Sequence, residues 1–114
     1  CSVAAVRLKL IRKDILERLS DVSLQIEDVA LRQRVTVRYV QRLFESEGTT
    51  FSDFLRTARL DLAFRLLQER GVVADTIASI AYDTGFSDIS VFNRAFRRRF
   101  DATPSEIRAK ALIG

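Results

Sequence analysis

Apolar residues recur at helical spacing through most of this chain, and no segment alternates long enough to make a strand. Val6, Leu8, Leu10, Ile11, Ile15, Leu16 and Leu19 run through a charged background. They predict a first helix over about 4–19, ended by Ser20-Asp21-Val22-Ser23. A second helix, about 26–33, would bury Ile26, Val29 and Ala30, with Gln25 a poor residue to cap its start. After the turn Gln33-Arg34-Val35, Thr36 caps a third helix of about 37–46 that turns Val40, Leu43 and Phe44 inward. Segment 51–68 lacks Pro and Gly and is apolar on more than one face, which predicts a helix of about 27 Å buried between two partners. Thr50-Phe51-Ser52-Asp53 would cap its start and Gly71 would end it. A fifth helix falls at about 76–83. In a sixth, about 88–100, capped by Ser87 or Asp88, Phe92, Phe96 and Phe100 share one face. Thr103-Pro104-Ser105-Glu106 is a strong start for a last helix, about 104–111, which would pack Ile107, with Leu112 as a further candidate.

The pattern is duplicated. Ile26-Glu27-Asp28-Val29-Ala30 aligns with Ile77-Ala78-Ser79-Ile80-Ala81, and Arg34-Val35-Thr36 with Gly85-Phe86-Ser87. Val40-Gln41-Arg42-Leu43-Phe44 then aligns with Phe92-Asn93-Arg94-Ala95-Phe96. Each copy reads as a short helix, a tight turn and a second helix bearing Gln-Arg or Asn-Arg outward. That is the layout of a helix-turn-helix, whose second helix enters a DNA major groove. Gly85 suits the left-handed conformation such a turn requires, whereas Arg34 would bear strain there. The expected fold is all-α, seven helices in two homeodomain-like helix-turn-helix subdomains joined by the long central helix. The expected divisions are 1–20 as a lead-in helix, 21–50 and 70–114 as the two subdomains, and 51–69 as the linker.

Composition narrows the function. The 114 residues are 47 % apolar, enough for a core, with a net charge of +4 that favours an anionic partner. Cys1 is the only cysteine and histidine is absent, which excludes Cys/His metal sites and histidine-dependent catalysis. With no glycine-rich phosphate loop and no nucleophile beside a base, neither an enzyme nor a bound cofactor is expected. No apolar run is long enough to span a membrane, and a reducing, cytoplasmic setting fits the cysteine usage. The chain begins with Cys and contains no Met, so it is expected to be a fragment of a longer protein.

Only outward positions near the start of each second helix can reach base edges. In the first copy these are Arg38, Gln41 and Arg42, and in the second Ile89, Ser90, Asn93 and Arg94. Arg can donate two hydrogen bonds to guanine, Gln and Asn can bond adenine, and Ile can pack on a thymine methyl. Thr36, Tyr39, Ser87, Arg97 and Arg98 are the candidate phosphate contacts, which position without specifying. An exposed Arg is ordinarily only a solvated charge; equivalent placement in both copies carries the functional reading. Arg99 is assigned to solvent or a pair, Arg59 and Asp61 to internal ion pairs, and the eight Phe to the core.

The stretch Ala81-Tyr82-Asp83-Thr84-Gly85-Phe86-Ser87-Asp88-Ile89-Ser90-Val91-Phe92-Asn93-Arg94-Ala95-Phe96, ending in Thr103-Pro104-Ser105-Glu106-Ile107-Arg108, resembles the signature of AraC/XylS-type transcriptional regulators. Arg59-Leu60-Asp61-Leu62-Ala63-Phe64-Arg65-Leu66-Leu67 resembles the central helix of that family, and the resemblance extends over about 22–110. It implies sequence-specific binding of double-stranded DNA in transcription regulation, with the third and sixth helices in adjacent major grooves. It also implies an N-terminal effector or dimerisation domain outside this chain, and contact with RNA polymerase if the protein is an activator. Carried over position by position, the base-reading residues again fall on Arg38, Gln41, Arg42, Ile89, Ser90, Asn93 and Arg94. Three positions depart from the family pattern: Arg34 and Asp101 stand where Gly is usual, and Ile89 where Pro is common. Groove spacing of about 34 Å is compatible with the central helix plus the offset of each subdomain. Two other readings stay open, a non-specific basic architectural binder and a helical protein-interaction module.

Overall fold

The computed structural model describes residues 2–70 and 76–113. Seven helices follow one another: α1 (Val3–Leu16), α2 (Ile26–Gln33), α3 (Val37–Ser46), α4 (Phe51–Arg70), α5 (Ile77–Asp83), α6 (Ile89–Phe100) and α7 (Pro104–Ile113). No strand occurs among the described residues. The proposed terminator Gly71 lies outside them.

The helix starts follow from their caps. Thr36 Oγ1 accepts the Tyr39 N–H at 3.0 Å, and Thr76 Oγ1 accepts that of Ser79 at 3.0 Å. Thr103 and Glu106 form the expected reciprocal box at 2.9 and 3.2 Å. Two starts differ from expectation. At α2 the weak cap Gln25 is compensated by Asp28, whose carboxylate accepts the Gln25 N–H at 2.9 Å. At α4 only half of a box forms: Thr50 Oγ1 accepts the Asp53 N–H at 3.1 Å, while Asp53 turns to Arg56.

The chain divides into two compact units, 1–57 and 58–114, with α4 contributing residues to both. In the first, α1, α2 and α3 pack on one another around Ile11, Ile15, Val29, Val40 and Phe44, all fully buried. Phe51 and Phe54 close this core against the Phe44 ring at 6.3 and 5.4 Å. Helix α1 ends three residues earlier than its apolar period suggests, yet Leu19 is still buried in the turn that follows. Val6, Leu10 and Leu16, which extend that period, are exposed, as is Leu112 in α7. In the second unit Leu60, Ala63 and Leu67 of α4 meet Ile80, Ala81, Phe86, Phe92, Phe96 and Ile107. Rings there pack continuously, with Phe64–Phe100, Phe96–Phe100 and Phe86–Phe92 at 4.6, 4.7 and 5.1 Å.

A carboxylate sits inside the first unit. Asp14, on the inner face of α1 and 5 % exposed, accepts from Arg32 Nε at 3.0 and 3.1 Å and from Arg32 Nη2 at 2.7 Å. Gln33 Nε2 donates to it at 2.9 Å and Arg18 Nη1 at 3.3 Å. Burial pushes the carboxyl up. The hydrogen bonds from Arg32 and Gln33, with the charges of Arg32 and Arg18, outweigh it and hold the group below the ordinary carboxylate value.

Because Asp14 is more acidic folded than unfolded, its contribution is complete above the unfolded carboxylate value and is lost as pH falls through the folded one. Thermal melting followed by circular dichroism is therefore expected to show a loss of stability in strong acid. Asp14→Asn should shrink that acid-dependent loss while lowering stability at neutral pH by about 2 kcal/mol.

Candidate nucleic-acid interface

The two turns are built alike from unlike residues. In the first, the Val35 N–H reaches the Ala30 carbonyl at 3.0 Å and the Arg34 N–H that of Leu31 at 3.2 Å. In the second, Phe86 reaches Ala81 and Gly85 reaches Tyr82, both at 3.0 Å. Both are Schellman-type helix ends, which require one left-handed residue. Gly85 supplies it at φ 99° without steric cost; Arg34 supplies it at φ 57° at a cost of about 1–2 kcal/mol. Asp101, at the end of α6, is also left-handed, at φ 54°.

Helix α3 buries Val40, Leu43 and Phe44. Its opposite face exposes Arg38, Gln41 and Arg42, with Tyr39 half-buried beside them and Thr36 exposed at the start. Glu45 shares that outward face, and its Oε1 lies 3.7 Å from Arg38 Nη1. The seven-residue spacing, two turns from Arg38, sets Glu45 there. Helix α6 buries Phe92 and Phe96 and exposes Ser90, Asn93, Arg94, Arg97 and Arg98 in a continuous band. Ile89 is half-buried at its edge. An open cleft of about 550 Å³ brings Ile89, Asn93, Arg94 and Arg97 beside Thr103 and Pro104 at the start of α7. Among the described residues Arg42, Arg94 and Arg98 enter no ion pair. Arg99, on another face of α6, pairs with Asp61 at 2.8 Å.

Ser87 is exposed, but the cap of α6 is Asp88, whose Oδ1 accepts the Ser90 and Val91 N–H groups at 2.8 and 3.2 Å. Two amides at that helix start are thus already engaged, and the group holding them is anionic.

A family profile described as a helix-turn-helix domain matches residues 29–110. The chain belongs to the AraC-type helix-turn-helix family. It is 42 % identical over 105 residues to the transcriptional activator RhrA of Rhizobium meliloti, covering 92 % of this chain and 33 % of that protein. The chain thus spans about a third of the length of the first relatives it matches, RhrA and NphR. An AraC-type transcriptional regulator from Chromobacterium violaceum superposes with a TM-score of 0.84 at 29 % identity, over 94 % of this chain and 93 % of its own. The DNA-binding domain of AdpA, solved with a target DNA, superposes at 0.76 with 25 % identity, over 90 % of each chain. The family is one of transcriptional regulators. Among the described residues no helix is long and apolar enough to cross a membrane, and no acidic or cysteine cluster could hold a metal.

Thr36→Ala removes the acceptor for the Tyr39 N–H at the start of α3. It is expected to lower stability by about 1 kcal/mol in urea unfolding while leaving the helical content unchanged.

Proposed function

We propose that this chain binds double-stranded DNA sequence-specifically and regulates transcription, with α3 and α6 each entering a major groove. The observation that carries this reading is the equivalent exposure of Gln41-Arg42 and Asn93-Arg94, on helices whose other faces are sealed into separate cores. Arg38, Gln41 and Arg42 read bases from α3, and Ile89, Ser90, Asn93 and Arg94 from α6. Thr36, Tyr39, Ser87, Arg97 and Arg98 meet the phosphate backbone, where Arg97 and Arg98 extend the basic band of α6. Membership of a regulator family and likeness to activators such as RhrA support transcriptional activation. That role adds RNA polymerase as a partner, a further effector or dimerisation domain in the whole protein, and a cytoplasmic site of action.

Selection of bound sites from a random duplex pool should return a consensus spanning two groove segments. On that site Arg42→Ala and Arg94→Ala are each expected to cost about 1–3 kcal/mol and to relax preference at one base position. Equal losses on random duplex would instead mark a non-specific charge contact.

The Arg38–Glu45 pair opposes DNA, since Arg38 must leave it to reach a base. Glu45→Gln is expected to raise affinity about two- to fivefold at low salt, measured by fluorescence anisotropy, with the gain shrinking as salt rises.

A further inference from the structure

The left-handed turn that aims α3 is restrained from one side by α1. The two residues before Arg34, Arg32 and Gln33, both end on the Asp14 carboxylate. Arg7 of α1 adds a third tie, donating from Nη1 to the Gln33 carbonyl at 3.5 Å. That carbonyl belongs to the Gln33–Arg34 peptide, which must rotate if Arg34 is to leave the left-handed region. Immediately beyond it Val35 closes on Ala30 and Thr36 caps α3, so the angle at which α3 departs follows from this one peptide. The second turn achieves the same geometry with Gly85, which needs no restraint on steric grounds. A carboxylate buried on the inner face of α1 costs desolvation that an apolar residue there would avoid. Of its three partners, Arg18 lies just past the end of α1, and Arg32 and Gln33 are the two residues leading into the turn.

We propose that Asp14 is a positioning residue for base reading: it holds the strained Arg34 turn and so sets the angle at which α3 presents Gln41 and Arg42. The proposal rests on α3 being a reading helix.

The test is a double-mutant cycle of Asp14→Asn and Arg34→Gly. It is measured on a duplex selected from the random pool and on a random duplex, at a temperature where every variant is folded by circular dichroism. Asp14→Asn should weaken selected-site binding about tenfold and random binding by less than about twofold, since a mis-aimed α3 keeps its phosphate contacts. In the Arg34→Gly background the same change should cost less than about twofold, because glycine holds the turn unaided. A merely structural role would lower both duplexes in proportion and by the same factor in both backgrounds; either result overturns the proposal. Should Asp14→Asn not fold, Gln33→Ala takes its place, removing one donor and leaving the carboxylate paired. Amide exchange at residues 34–39 should then quicken in Gln33→Ala and slow again when Arg34→Gly is added; unchanged exchange overturns it. Failure to bind any duplex would end the base-reading assignment and this proposal with it. Duplex binding with an unaltered specificity ratio in Asp14→Asn would end only the role given to Asp14.

Discussion

A helix of three turns that is to read DNA must be gripped on one face and left unspent on the other. In α3 the grip is Val40, Leu43 and Phe44, and in α6 it is Phe92 and Phe96. Each such side chain contributes about 1.5–3 kcal/mol on burial. A good bidentate contact to a base is worth about 1–3 kcal/mol. Two or three anchors therefore outweigh any single contact on the far side, and the helix arrives at its ligand already placed. Because the two faces are fixed by one periodicity, a residue cannot move from one task to the other without a shift in register.

The turns ahead of α3 and α6 solve the same geometric problem with different chemistry. Both close the preceding helix with the same pair of backbone hydrogen bonds. Gly85 meets the left-handed requirement by having no side chain. Arg34 meets it against its steric preference, and around it the first unit spends three polar side chains and a buried carboxylate. Those ties run to α1, so in this unit α1 is part of the turn mechanism as well as part of the core.

Much of this was legible in the sequence because the informative signals are local. Thr36, Thr103 and Glu106 announce helix starts through neighbours only three residues away. The strain at Arg34 follows from its alignment with Gly85. Gln25 misled because the compensating group, Asp28, acts from inside the helix and not from the cap position. Val6, Leu10, Leu16 and Leu112 misled because periodicity marks an apolar stripe without saying how much of it finds a partner. Asp14 was invisible for a different reason: a charge within an apolar stripe looks like surface, and two of its three partners lie 18 and 19 residues along the chain. On the candidate interface the outward residues were recoverable from spacing. The spacing also put Glu45 on that face, but its pairing with Arg38 needed the fold, as did the choice of Asp88 over Ser87 as the cap of α6.

Those two acids bear on what the interface is built to do. Every phosphate contact strengthens binding to all sequences alike. A surface optimised for affinity alone would carry unbroken positive charge. Here the net charge is only +4, Glu45 sits on the outward face of α3, and Asp88 fills the start of α6 where a phosphate could have docked. Each acid disfavours DNA in general, and a base contact that draws Arg38 away from Glu45 must first offset that pairing. On the proposed reading, the effect is to lower the floor of non-specific binding more than the ceiling of specific binding. The ratio between them is what a regulator uses among a large excess of wrong sites. Negative charge on a DNA-facing helix is thus consistent with the proposed function, provided it stands where a correct base contact can outcompete it.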